Sequence, residues 1–100
     1  MLLYNVTVKI DAAILDDWLR WMKNIHIPDV MNTGLFVEYR MCRLLEQDES
    51  DGITFAIQYL CRSMHDYETY RDKFAPALQR EHFEKFGERF VAFRTLMQIL

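Results

Sequence analysis

The spacing of apolar residues changes period at Asp11, and a second change of the same kind later in the chain restricts the fold more than composition does. Residues 2 to 10, LLYNVTVKI, alternate, with Tyr4, Val6, Val8 and Ile10 on one face and Leu3, Asn5, Thr7 and Lys9 on the other. That period of two belongs to a half-buried strand. From Ala12 to Ile25 the period is helical, with Ile14, Trp18, Met22 and Ile25 in one stripe flanked by Leu15 and Leu19. Asp11 supplies the N-cap. The helix is expected to end by His26 or Ile27, because the residue before Pro28 is pushed out of the α region and Gly34 can take a turn conformation closed to other residues. On this reading His26 satisfies the last free carbonyls of the helix.

A second strand is expected over Phe36 to Gln47, with Val37, Tyr39 and Met41 opposite Glu38, Arg40 and Cys42. DESDG, Asp48 to Gly52, reads as a polar turn, and Ile53 to Arg62 as a third strand with Ile53, Phe55, Ile57, Tyr59 and Cys61 on one face. Ser63 caps a helical segment that Pro76 either kinks or restarts, since proline is accommodated in a first turn but not in a helix interior. Gly87 ends it. Arg89 to Leu100 then alternates again, the apolar set Val91, Phe93, Thr95, Met97 and Ile99 against Ala92, Arg94 and Gln98.

The order βαββαβ predicts an α+β, ferredoxin-like fold, a four-stranded antiparallel sheet with both helices on one face, spanning residues 1–100 as a single domain. The helix-free face is then expected to carry Leu3, Ala56, Leu60, Ala92 and Leu96 among Asn5, Arg40, Thr54, Gln58 and Arg94. So mixed a surface suits burial against a second copy, and two-fold symmetry closes such a self-complementary patch. Arg40, Gln58 and Arg94 are the candidate dimer-interface residues, Arg94 being expected to matter more to the dimer than to the fold.

Composition removes several functions. A net charge of −3, with 12 Lys and Arg scattered along the chain, provides no basic stripe for a phosphate backbone, so no nucleic-acid partner is expected. No stretch approaches the roughly 20 apolar residues of a membrane span and the N-terminus has no positive leader segment, which together predict a cytoplasmic protein. Cys42 and Cys61 lie far apart inside apolar runs and read as reduced, buried thiols, and no metal-ligand spacing is present. Three glycines leave no glycine-rich phosphate loop and no nucleophile elbow.

The candidate chemistry rests on a few rings. His82 shares a helix face with Leu78 and Phe86, which turns its imidazole inward, where it needs a partner such as the hydroxyl of Tyr59, Tyr67 or Tyr70. His82 and His26 are the candidate catalytic bases or ligands, since an unperturbed histidine titrates near neutrality. Trp18, Trp21, Tyr59, Tyr70 and His82 are the candidate ligand-binding residues, Trp18 toward the core and Trp21 at a pocket wall or dimer edge. His65 reads as solvated.

The segments WLRWM, HIPDV, NTG, FAIQYLC, YETYRDKFAPALQREHFEKFG and FVAFRT resemble a bacterial domain family of unknown function within the dimeric α/β-barrel superfamily, across nearly the whole chain. The resemblance implies the ferredoxin-like fold and a barrel-forming homodimer. It carries no catalytic residue over. The superfamily also includes haem-degrading monooxygenases, which use an asparagine on strand one, an aromatic residue on helix two and a histidine farther along, and Asn5, Tyr70 and His82 stand at comparable places. Quinone-forming monooxygenases of the superfamily act on aromatic substrates without metal or cofactor. Three readings follow: a dimeric protein that binds a small apolar or aromatic molecule with no cofactor, a cofactor-independent or haem-linked monooxygenase, and a structural interaction module with a filled core.

Overall fold

A computed structural model describes all 100 residues. Strand β1, Leu2–Ile10, leads through the Asp11 cap, whose carboxylate accepts from the Ala13 N–H at 2.9 Å, into a 3₁₀ turn at Ala12–Ile14 and helix α1, Leu15–Trp21. A π-helical turn, Met22–His26, then joins α1 to helix α2, Ile27–Met31. Strands β2, Phe36–Arg43, and β3, Ile53–Cys61, form a hairpin; helices α3, Met64–Lys73, and α4, Ala75–Phe86, follow, with Pro76 in the first turn of α4. Strand β4, Phe90–Gln98, completes an antiparallel sheet of order β2-β3-β1-β4. This is the ferredoxin-like arrangement, with the helices on one face.

Pro28 does not end the first helix. The Ile27 N–H reaches the Met22 carbonyl in an i→i−5 bond, and this wider turn falls where a proline ring would press on the Asn24 carbonyl of a regular α-helix. The extra residue rotates everything after it. Ile25, expected in the core stripe, is exposed, while Ile27 and Val30 are buried beneath Met22, Trp18 and Ile14. His26 is therefore not a helix-end cap.

The strand register corrects a second expectation. Directly opposed residues share a sheet face, and Arg94 lies opposite Val6, Ala92 opposite Val8 and Leu96 opposite Tyr4. All three belong to the helix-covered face, so Arg94 is not on the surface assigned to a dimer. The apolar alternates of β4 take the open face instead, Phe93 at 68% and Val91 at 53% exposure, beside Met97. Arg40 pairs with Gln58 on that same open face. Cys42, paired with Ala56 there, is exposed rather than buried, while Cys61 is fully buried on the helix side.

The core lies between the helices and the inward faces of β1 and β3, where Trp18, Val8, Ile10, Ile57 and Cys61 are out of solvent. At one end aliphatic side chains pack around Trp18, whose indole lies 4.9 Å from the Phe55 ring, centroid to centroid. Four aromatic rings, Tyr4, Phe36, Tyr59 and Tyr70, fill the other, with centroids 4.8 to 6.0 Å apart.

Candidate functional site

The π-turn and helix α4 bring both candidate histidines to one place. Trp18 and His82 are buried, and the Trp18 Nε1–H donates to His82 Nε2 at 3.0 Å. An indole can only donate, so the accepting nitrogen carries a lone pair and the ring proton of His82 resides on Nδ1. Phe90 lies parallel to the imidazole, centroids 3.8 Å apart and 4° between planes. The partner expected among the tyrosines is thus a tryptophan on the first helix, placed by the 3.6-residue period that also buries it.

His26 comes within 5.4 Å of His82, centroid to centroid, and stacks on Trp21 at 5.1 Å. Its Nδ1 is buried without a hydrogen-bond partner in the chain. Desolvation disfavours the charged form of both rings, pushing His26 down to about 4, against a pull upward from Asp29, and His82 down to about 3, where the neighbouring His26 and Arg94 add to the effect. Both imidazoles are neutral near pH 7.

Between these rings and the sheet lies a cavity of about 20 Å³ within a cleft of about 390 Å³ counting its open mouth. The enclosed part has room for a water molecule. Tyr4, Tyr59 and Tyr70 line it with His26, His82 and Arg94. Burial raises the three phenols above their ordinary value, opposed at Tyr4 and Tyr70 by the Arg94 guanidinium, so they stay protonated and can donate. Trp18 and Trp21 do not line the cavity; they back the histidines. The sequence alone assigns Arg94 to a dimer interface and Tyr4 only to a strand face, although the plain alternation of β1 already puts Tyr4 inward; both line the cleft.

A haem does not fit these residues. Nε2 of His82 is taken by Trp18, one ring face is covered by Phe90, and Asn5 faces the open side of the sheet, where its Nδ2 donates to the Thr7 hydroxyl at 2.9 Å. The enclosed volume accepts no porphyrin.

The family model described as domain of unknown function (DUF4286) matches residues 1–100. The chain belongs to this family. No curated protein matches it in sequence. Among solved structures it is similar to a dimeric ferredoxin-like protein from an uncultured marine organism, TM-score 0.71 at 12% identity, covering 100% of this chain and 95% of that one. It is also similar to a putative antibiotic biosynthesis monooxygenase from Deinococcus radiodurans, TM-score 0.71 at 13% identity, covering 100% and 93%. A mutant of MhuD with two manganese protoporphyrin IX bound per active site aligns with TM-score 0.73 at 10% identity, over 100% and 95%. At these identities the likeness establishes the fold of this DUF4286 chain, the ferredoxin-like one, and nothing further. No helix of the chain is long and apolar enough to cross a membrane.

Proposed function

We propose that this DUF4286 protein is a homodimer that binds a small aromatic molecule in the cleft between the π-turn and the sheet. The observation that carries the reading is the buried, unpartnered Nδ1 of His26 beside that cavity. A buried polar atom without a partner costs about 1–3 kcal/mol. Such a cost is relieved where a bound molecule, a water or a ligand that displaces it, supplies the partner. The π-turn that delivers His26 is itself a distortion enriched at functional sites. The aromatic lining suits a planar guest seated in the open part of the cleft, the enclosed part holding no more than a water molecule.

The binding reading stands ahead of the monooxygenase reading because of the histidines. An imidazole held at about 3 or 4 is neutral near pH 7 but a weak proton acceptor, away from the value that makes an efficient general base. The open cleft beside the unpartnered His26 nitrogen sets the structural-module reading behind both. Phenol is the probe: titrated into the protein, it is expected to move the ring ¹⁵N resonances of His26 and His82 saturably, and to move that of His82 less in His26→Phe. Flat histidine resonances up to millimolar phenol would remove the ligand reading.

A further inference from the structure

Arg94 is the one formally charged side chain that lines the cavity, and no carboxylate lines it. Its position is fixed by the β1–β4 register, which sets it opposite Val6 on the helix-covered face. The guanidinium forms no ion pair, unlike Arg43, Arg71 and Arg89, whose charges are matched by Glu49, Asp72 and Asp11. Around it the cavity is rich in donors: the protonated hydroxyls of Tyr4 and Tyr70, the Gln79 amide and the ring proton left on His82 Nδ1 by the Trp18 bond. A planar guanidinium matches the two oxygens of a carboxylate. A neutral guest would leave that charge to solvent at the mouth, whereas an anionic guest would pair with it.

We infer that the guest is a small aromatic acid, its anionic oxygens held by Arg94 with Tyr4 and Tyr70 and its ring among the aromatic side chains of the lining. This rests on the reading of the cavity as a ligand site and adds the charge of the ligand. Benzoate and benzamide separate the two claims, being nearly equal in shape and differing in charge. Titrations of the intact protein followed by histidine and tyrosine ring resonances should show benzoate binding about tenfold more tightly. The advantage should vanish in Arg94→Met and persist in part in Arg94→Lys. Arg94 is exposed, so neither substitution should lower the melting temperature appreciably, and the same samples check this. Equal binding of the two probes, or a preference for benzoate that survives in Arg94→Met, overturns the inference and leaves the ligand site standing. If neither probe nor phenol binds, the site itself falls.

Discussion

The indole N–H of Trp18 and Nε2 of His82, distant in sequence, meet in the core at 3.0 Å. This one bond ties helix α1 to helix α4, selects the tautomer of His82 and leaves Nδ1 as the ring's only N–H. Its geometry makes a direct prediction.

Trp18→Phe keeps an aromatic ring but removes the donor, stranding a buried acceptor and leaving space where the larger indole stood. A loss of about 2–4 kcal/mol is expected from those two effects together, read from urea unfolding. The ring ¹⁵N shifts of His82 should also lose the signature of a single Nδ1–H tautomer. An unchanged tautomer would mean that another group fixes the imidazole.

Acid should destabilise the fold before the carboxylates titrate. The folded values of His26, about 4, and His82, about 3, lie below the ordinary 6.5, so between these limits the unfolded chain binds more protons. Stability therefore rises with pH through this window, is complete above about pH 6.5, and is lost as pH falls toward 4. The slope where both rings differ approaches about 2.7 kcal/mol per pH unit. In His82→Gln the slope over pH 4.5 to 6 should fall by about half. A flat stability profile over that range in the wild type would show that neither ring is held neutral.

The open sheet face should drive assembly through β4. Phe93 stands most exposed among the inner apolar residues of that strand, next to Val91 and Met97, and an aromatic anchor near the centre of a patch carries a disproportionate share of association energy. Phe93→Asp is expected to shift a micromolar sample from dimer to monomer in sedimentation equilibrium while leaving the circular dichroism spectrum intact. Arg94→Ala, with its side chain on the helix-covered face, should leave the sedimentation profile unchanged. A wild type that sediments as a monomer would end the dimer reading.

Gly52 closes the β2–β3 hairpin at φ 149°, and a Cβ placed there would stand 2.8 Å from the Ile10 carbonyl oxygen. Backbone cannot yield as a side-chain tip does. Gly52→Ala should cost about 2 kcal/mol, seen as a fall in Tm of roughly 10 °C for a domain of this size. A melting temperature within a degree of wild type would show that the turn relaxes freely.

The sequence by itself determined the order of elements and the inward faces of β1 and β3, because both central strands carry one strongly apolar set and a slip of one residue would expose it. It determined Asp11 as a cap and Pro76 as a break, either a kink or a new first turn, since capping and proline geometry are local; the fold chose the first turn of α4. It also marked both histidines, but neither their meeting nor their surroundings. Those were decided by tertiary structure. On β4 both alternates carry apolar residues, so periodicity could not choose, and pairing of Val6 with Arg94 turned the strand. In the first helix, local propensity argued for a stop before Pro28, while burying Ile27 and Val30 against the sheet favoured continuing through a π-turn. That added residue carries His26 inward to His82, and no windowed pattern records it, because the free energy that selects it comes from contacts with strands distant in the chain.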